Sequence, residues 1–324
     1  MEANQYLNDF YNHYDEDSRL LFQHGSVEFL TTMRYIEKYL KHGDKVLEIG
    51  AGTGRYSHAL ARRGHPVDAV ELVAHNIEVF RQNTRPGESV TIAQGNALDL
   101  SAFADNAYDV TLLLGPLYHL YTQDDKRRAL REAIRVTKPG GVVFAAYVIS
   151  DGCLLDEGFR RGNISVAEYV RDGLLDARTF AASSQPKDLF ELVRKEDVDE
   201  LMSVFPVTRL HYVASDGCAL LLRDEIDAMD ADSFALYLKY HFATCERADL
   251  AGITSHAVEY DVKELQKIAK LMAVDEIHLF DDQGTIYSGS APKYFGYNFD
   301  SGTQMEYFKP MLKDKSLKMV QDIE

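Results

Sequence analysis

An apolar strand leads directly into three glycines at alternate positions in the stretch Val46-Leu47-Glu48-Ile49-Gly50-Ala51-Gly52-Thr53-Gly54-Arg55-Tyr56. Glycine has no Cβ and tolerates positive φ, so the stretch predicts a tight turn at which the backbone approaches a ligand closely. A helix is predicted immediately after the turn, and its N-terminal amides would point at the same place. The stretch therefore predicts a strand–loop–helix unit with a ligand at the loop.

Apolar strands alternate with helices on both sides of this loop. The strands are predicted at 45–49, 67–71, 90–93, 108–114 and 142–148, and the helices between them at 56–63, 74–84 and 124–137. Such alternation predicts βαβ units and a parallel sheet with helices on both faces. Strands without polar alternation fit burial on both sides. The expected fold class is therefore α/β, with a doubly wound parallel sheet.

The composition predicts a globular protein with an acidic surface. In the 324 residues, 51 Asp and Glu face 35 Lys and Arg, giving a net charge of −16. Because nucleic-acid sites usually need a basic stripe, a nucleic-acid partner is not expected. The short basic run Lys126-Arg127-Arg128 is expected on the solvated face of a helix.

Neither a membrane partner nor a metal site is expected. No apolar run approaches the roughly 18 residues of a membrane span, and the N-terminus does not resemble a signal peptide, so a cytoplasmic location is expected. The cysteines at 153, 218 and 245 are too far apart for a zinc or disulfide pattern. His241 and Cys245 are one helical turn apart, but no third ligand is near them in the sequence.

Polar or small residues follow each strand in a regular order. Glu71 ends the second strand about 20 residues after the loop, where a carboxylate can recognise ribose hydroxyls. After the third and fourth strands come the segments Gln94-Gly95-Asn96-Ala97 and Leu114-Gly115-Pro116-Leu117-Tyr118-His119. The segment Lys138-Pro139-Gly140-Gly141 is predicted to turn into the fifth strand.

Together these segments resemble the motifs of class I S-adenosylmethionine (SAM)-dependent methyltransferases, most closely the small-molecule enzymes of the UbiE-like type. The resemblance covers residues 44–148 closely and extends more loosely to about 257. It implies a Rossmann-like fold with SAM as the cofactor. The residues that it implies for SAM binding are Glu48, Gly50, Ala51, Gly52, Gly54, Glu71, Leu72, Asn96, Ala97, Leu114 and Gly115.

The resemblance also assigns parts of SAM to these residues. Glu71 would accept hydrogen bonds from the ribose hydroxyls. Asn96 would lie beside the adenine, where the family usually has Asp. Amides between Gly50 and Gly54, with others near Gly115, would hold the amino-acid end.

The expected function is methyl transfer from SAM to an oxygen, nitrogen or carbon atom of a small molecule. His119 is the first candidate for a general base and Tyr118 the second, although both also fit a packing role. The N/D-P-P-Y/F element of enzymes that methylate adenine or glutamine is missing, which argues against those substrates. A regulatory protein that binds SAM or another nucleotide without turnover is an alternative. A dehydrogenase is disfavoured, since G-x-G-x-x-G would need glycine where Arg55 stands.

The expected domain organisation is a methyltransferase domain over 1–257 and an appendage over 258–324. Residues 1–43 would form a helical cap (helices at 5–23 and 25–41), and 150–185 a substrate-covering insertion. After the insertion, helices are predicted at 195–204, 217–229 and 231–246, and strands at 207–213 and near 254–260. Tyr6, Tyr11 and Tyr14 would form a helix face or a lid over the site. The tail is predicted to contain helices at 262–272 and near 303–313, and a hairpin of strands at 276–280 and 285–288 joined by a turn at 281–284. It resembles part of a Cache/PAS-like sensor domain. It is expected to be a recombination remnant rather than a docking element, and a homodimer is left open.

Overall fold

The computed structural model describes residues 3–206, 211–216, 221, 223–247, 278–280 and 286–289. The chain divides into two compact units, residues 1–254 and residues 255–324. In the second unit, strands β8 (His278–Phe280) and β9 (Ile286–Gly289) pair antiparallel, as the sequence predicts for a hairpin. The predicted turn at 281–284 and the predicted helices at 262–272 and 303–313 lie outside the described residues.

Five parallel strands form the central sheet of the first unit. They are β1 (Val46–Ile49), β2 (Val67–Glu71), β3 (Val90–Gln94), β4 (Tyr108–Leu113) and β5 (Thr137–Ala145). Their order is β3-β2-β1-β4-β5, and every neighbouring pair is parallel. The chain runs from β1 outward to β2 and β3 on one side of the sheet, and then crosses to β4 and β5 on the other side. Such a reversal leaves a crevice at the carboxyl ends of the strands, where ligands bind in open α/β sheets.

Helices precede, connect and follow these strands. They are α1 (Ala3–Tyr11), α2 (Glu16–Arg19), α3 (Gln23–Tyr39), α4 (Arg55–Ala61), α5 (Ala74–Asn83), α6 (Gln123–Val136), α7 (Ser150–Cys153), α8 (Val166–Arg171), α9 (Lys195–Met202), α10 (Arg223–Asp227) and α11 (Ala231–Thr244). Shorter turns are a 3₁₀ helix at Pro116–His119, a π-helix at Leu154–Arg160 and a 3₁₀ helix at Pro186–Asp188. A short parallel pair, β6 (Val148–Ile149) with β7 (Leu192–Val193), lies apart from the main sheet. No helix within these described ranges combines the length and apolar character needed to cross a membrane.

The two faces of the sheet bury separate apolar cores. Leu47 and Ile49 of β1 pack with residues of α6 such as Leu130, whereas Val46 packs with Ile36 of α3 and Leu60 of α4. Successive side chains of a strand point to opposite faces, so one apolar strand supplies both cores. The three central strands are almost wholly buried, as predicted, but the edge strand β3 is largely exposed.

The cap at the N-terminus differs from the predicted helices. The helix expected over 5–23 is interrupted between α1 and α2, where Asp15 caps α2 by accepting a hydrogen bond from Ser18 N at 3.2 Å. Asp is a strong N-cap residue because its carboxylate satisfies a free amide at the helix start. The break lets α1 and α2 turn independently toward the carboxyl ends of the strands.

Two further expectations are corrected around the fifth strand and its preceding helix. Lys138–Gly141 do not form a turn before β5 but an irregularity within it, where the register to β4 shifts and Gly140 takes a φ of 82°. Lys126 does not lie on a solvated face: it is 3% exposed and forms an ion pair with Glu191. A charge run in a sequence does not show which of its members another segment will cover.

The C-terminal part of the first unit is less regular than predicted. In place of the strand expected at 207–213, residues 211–213 carry no strand, and 207–210 lie outside the described residues. The helix expected at 217–229 is described only as α10, and the one expected at 231–246 corresponds to α11. The strand expected at 254–260 falls outside the described residues.

Candidate active site

A cavity opens at the carboxyl ends of β1, β2, β3 and β4. It encloses about 1080 Å³ of empty space, counted to its open mouth. Nearly all of the residues predicted for the site line it: Glu48, Gly50, Ala51, Gly52, Glu71, Leu72, Asn96, Ala97, Leu114, Gly115, Tyr118 and His119. The fold thus brings together segments that are predicted separately along the chain.

The glycine loop forms one wall of the cavity by leaving out side chains. Gly50 has a φ of 74°, and a Cβ on it would lie 2.7 Å from the Pro116 ring. Gly52 has a φ of 52°, which other residues rarely adopt. Any side chain on Gly50 would also narrow the gap between the loop and the segment that follows β4.

Three amides of this loop already have hydrogen-bond partners within the chain. The N–H groups of Gly50 and Ala51 both donate to the Val70 carbonyl, at 2.8 and 3.1 Å. Gly52 N donates to the Glu71 carboxylate at 2.8 Å. These bonds fasten the loop to β2. The loop therefore contributes close approach of its backbone rather than donors at these three positions.

Gly54 is the one predicted site residue that is not among the described residues lining the cavity. A Cβ on Gly54 would lie 2.5 Å from the Phe80 ring and 2.7 Å from His58 Nε2. Its φ of 90° places it in the left-handed region at the start of α4. Gly54 is therefore a packing residue that lets α4 approach α5.

Glu71 occupies the position expected of a ribose-binding carboxylate. Its two oxygens accept hydrogen bonds from Gly52 N and Val73 N, each at 2.8 Å, and the residue is 6% exposed. Asn76 Nδ2 adds a longer contact at 3.5 Å, so three of the roughly four acceptor positions of the ionised carboxylate are used, which leaves capacity for a ligand hydroxyl. Burial raises the pKa of Glu71, while the backbone amides of Val73 and Gly52 oppose that rise.

Two asparagines add amide groups beside this carboxylate. Asn96 accepts a hydrogen bond from Leu98 N at 2.9 Å through its side-chain oxygen, which leaves its NH₂ group to donate. Asn76 is 3% exposed, and its Oδ1 finds no hydrogen-bond partner among the described residues. A buried unpaired acceptor is costly, so a ligand donor at Asn76 would relieve it. Asn76 was not predicted from the sequence.

Glu48 is buried beneath the loop, and its carboxyl group is uncharged at neutral pH. Ser57 donates a hydrogen bond from its hydroxyl to the Glu48 carboxyl, and burial raises the pKa of Glu48 to about 8. The folded chain therefore keeps a proton on Glu48 at neutral pH. The unfolded chain, with an ordinary glutamate pKa of about 4.3, has lost that proton.

We expect Glu48→Gln to stabilise the ligand-free protein increasingly as the pH rises from 5 to 8, by up to about 3 kcal/mol at pH 8. A raised pKa in the folded state favours folding at low pH and loses that advantage as the pH rises, whereas the glutamine side chain has no proton to lose. Urea unfolding of both proteins at pH 5 and pH 8 measures the difference. The exposed residue Glu78 offers a matched control as Glu78→Gln. An equal stability change at the two pH values would contradict the assignment.

The candidate base His119 has a defined hydrogen-bond pattern. Its Nδ1 lies 2.8 Å from the Leu189 carbonyl, and its Nε2 lies 3.2 Å from the Tyr11 hydroxyl. A carbonyl can only accept, so we assign the imidazole proton to Nδ1. Nε2 then accepts from Tyr11. Burial lowers the pKa of His119 to about 4 and raises that of Tyr11, so both groups are neutral at pH 7.

The cap supplies residues to the site, among them Asn4 and Leu7, which were not predicted. Asn4, Leu7 and Tyr11 of α1 line the cavity at helical spacing, whereas the sequence prediction left open whether the tyrosines form a helix face or a lid. The expected cover at 150–185 does not line the cavity within the described residues. Contacts to Tyr118 and His119 come from residues just beyond it, including the Phe190 ring, 5.3 Å from that of His119.

The cavity wall also carries an ion-pair network from the cap. Arg19 donates to Glu16 at 2.9 Å and to Glu28 at 2.8 Å, and all three line the cavity. Because Glu48 keeps its proton, the described wall has three carboxylates, those of Glu16, Glu28 and Glu71, and two guanidinium groups, those of Arg19 and Arg55. Burial raises the pKa of Glu16. The excess of carboxyl groups favours a cationic ligand.

Metal ligands are not assembled in the part of the chain that the structure describes. No group of three or more His, Cys, Asp or Glu side chains there has a suitable arrangement. Cys245 lies 3.4 Å from the Tyr35 hydroxyl, and His241 Nε2 is buried without a partner among the described residues.

The strand order, the glycine loop after β1 and the carboxylate that ends β2 are features that class I SAM-dependent methyltransferases share with other doubly wound nucleotide-binding domains. The comparison with known proteins agrees: residues 47–145 match the family model described as "Methyltransferase domain". A demethylmenaquinone methyltransferase of Staphylococcus aureus (strain JH9) is 34% identical over 108 residues, which are 32% of this chain and 43% of that protein. The chain thus spans less than half the length of this curated relative.

Solved structures give more distant matches. The PH0226 protein from Pyrococcus horikoshii OT3 has a TM-score of 0.47 and 22% identity, over 61% of this chain and 89% of that one. Phosphoethanolamine N-methyltransferase 1 of Haemonchus contortus, in complex with phosphoethanolamine and S-adenosylhomocysteine, has a TM-score of 0.44 and 15% identity, over 62% and 39% of the two chains. The fold assignment rests on the strand order and pairing of the chain itself.

Proposed function

We propose that this protein is a SAM-dependent methyltransferase that acts on a small molecule, similar to the UbiE-like enzymes. The observation that carries the proposal is the position of Glu71. Its buried carboxylate ends β2, is fastened to the glycine loop through Gly52 N, and lines the cavity. In a doubly wound sheet this is the place where a carboxylate binds ribose hydroxyls.

The residues present fit SAM at four points. Glu71 keeps acceptor capacity for hydroxyl groups, and the unpaired Oδ1 of Asn76 would accept a further donor. Asn96 offers an NH₂ group for the adenine, although the family usually has Asp there. Gly50 and Gly52 leave space where a Cβ would project. Leu114 and Gly115 would line the methionine end of SAM. The guanidinium group of Arg19, in the cap, is suited to bind the carboxylate of that end.

SAM supplies a methyl group on a cationic sulfur, so the main tasks of the protein are to position the reactants and exclude water. The wall carboxyl groups attract a sulfonium, and the aromatic faces of Tyr11 and Tyr118 can contact a cation. The neutral His119 keeps a lone pair on Nε2. A proton released by the acceptor would pass to the Tyr11 oxygen while Tyr11 gives its own proton to His119. Tyr118, the second candidate base, holds its proton more firmly because burial raises its pKa.

A small acceptor is favoured over a macromolecule by the shape and charge of the site. Helix α1 partly covers the cavity, and the hydroxyl group of Tyr11 on this helix contacts His119 Nε2. The net charge of −16 and the acidic wall disfavour a polyanionic substrate such as nucleic acid. A homodimer stays a prediction.

We propose that the methyltransferase domain ends near residue 257 and that residues 258–324 are a separate, partly sensor-like appendage. The division of the chain at residues 254 and 255 and the hairpin of β8 and β9 support this organisation. The cavity residues that the structure describes all come before residue 121, within the first unit.

Isothermal titration of the full chain with SAM, S-adenosylhomocysteine and NAD tests the proposal. We expect micromolar binding of the first two and none of NAD, because the loop lacks the dinucleotide spacing at Arg55. Folded protein that binds neither SAM nor S-adenosylhomocysteine would contradict it. Transfer of a labelled methyl group is then screened over small amines, phenols and acidic carbon compounds. Binding of SAM without transfer to any of them would favour the regulatory alternative.

A further inference from the structure

A strained turn lies beside the candidate base. Leu189 has a φ of 65° and a ψ of −45°, and Phe190 N donates to the Asp188 carbonyl at 2.8 Å across it. This is a γ-turn of the rare, strained form with positive φ. A leucine keeps such a conformation only where the surrounding structure enforces it, and such strain concentrates at functional sites.

The turn aims the Leu189 carbonyl at two side chains that follow β4. The carbonyl accepts from His119 Nδ1 at 2.8 Å and from the Tyr121 hydroxyl at 2.6 Å. The first of these bonds decides which imidazole nitrogen carries the proton. In the absence of the carbonyl, the ring would be free to take the other tautomer, and Nε2 would then no longer be an acceptor toward Tyr11.

A buried ion pair fixes the chain two residues after Leu189. The Glu191 carboxylate pairs with Lys126, whose side chain is 4% exposed, while that of Glu191 is 14% exposed. Glu191 N also donates to the Tyr118 carbonyl at 2.7 Å. Lys126 belongs to α6, which is anchored in the core through residues such as Leu130. Residue 191 is therefore tied both to a rigid helix and to the residue preceding His119.

Stability alone does not explain why Lys126 and Glu191 form a buried ion pair. Removing two charges from water costs about as much as their attraction returns, so a buried pair is weak evidence of stabilisation. Burial raises the pKa of Glu191, and Lys126 opposes the rise. A directional contact at this point specifies where the segment sits more precisely than an apolar contact would.

We propose that Lys126 and Glu191 are positioning residues for His119: their ion pair holds the Leu189 turn in place, so that the Leu189 carbonyl fixes the Nδ1–H tautomer and keeps Nε2 as the acceptor facing Tyr11. The use of that nitrogen in catalysis rests on the proposed function. The fixing of the His119 tautomer does not depend on the proposed function.

The test uses the full chain labelled with ¹³C and ¹⁵N in its 11 histidines, with the His119 signals assigned by their loss in His119→Asn. In the wild type we expect an Nδ1–H ring that stays neutral down to a pH near 4. In Lys126→Met we expect a substantial Nε2–H population, because the Leu189 carbonyl no longer fixes the proton on Nδ1. Folded Lys126→Met with an unchanged His119 ring would overturn the proposal.

Two further variants separate positioning from folding. Lys138→Met removes the exposed ion pair with Asp109 and should leave the His119 ring unchanged. If Lys126→Met does not fold, the double variant Lys126→Met/Glu191→Met replaces the pair by apolar side chains, which proteins commonly tolerate. We expect the double variant to fold and to show the same ring change, because no directional contact then holds the turn. An unchanged ring there would also overturn the proposal. SAM titration of the same samples tests the proposed function separately.

Discussion

Replacing Glu71 with alanine is expected to weaken SAM binding about a hundredfold. One ligand hydroxyl bonded to a buried carboxylate accounts for this size, since a hydrogen bond to a charged group contributes about 1.5–3 kcal/mol. The carboxylate also fastens Gly52 N and Val73 N, so its loss loosens the loop as well as the ribose contact. Isothermal titration of the full chain with SAM measures the effect.

Two controls separate these contributions. Glu71→Gln keeps the shape of the side chain and one acceptor oxygen but replaces the other oxygen with a donor. We expect its loss of SAM affinity to approach that of the alanine variant, with less loss of stability. Glu78→Ala, an exposed change in α5, should bind SAM as the wild type does. Unchanged affinity in both Glu71 variants would remove the ribose assignment, even if the chain binds SAM in another way.

Replacing Gly54 with alanine is expected to lower the free energy of unfolding by about 2–5 kcal/mol. A left-handed φ of 90° costs a residue with a Cβ about 1–2 kcal/mol. Overpacking against Phe80 and His58 adds about 1–3 kcal/mol, because the new Cβ would lie 2.5 Å from the Phe80 ring. Urea unfolding of the ligand-free protein measures the change.

Gly87 provides a matched control for this substitution. Its φ of 88° is nearly that of Gly54, but nothing lies within 4 Å of a Cβ built on it. Gly87→Ala should therefore show only the conformational cost, and the difference between the two variants isolates the crowding between α4 and α5. Equal losses in the two variants would contradict the packing role assigned to Gly54. If Gly54 serves packing alone, Gly54→Ala should lower SAM binding only to the extent that it lowers the folded fraction of the protein.

The sequence by itself determined the sheet and one wall of the site. Strands β1, β2 and β4 are apolar along most of their length, and the predicted and observed bounds of β2 are the same. The loop after β1 and Glu71 at the end of β2 were predicted because each signal lies within one strand and its adjoining turn. Parallel strands then bring their carboxyl ends to the same edge, so placing these residues in one cavity required only the βαβ rule.

Only the tertiary structure decided which groups complete the site and what each of them contacts. Tyr11 and His119 are 108 positions apart, and His119 and Leu189 are 70 apart. The sequence also could not show that the loop amides are taken by Val70 and Glu71. The same holds for Lys126, which looks like part of a solvated basic run until Glu191 covers it. Such contacts depend on how separate helices and loops pack over the sheet, and local periodicity carries no record of that packing.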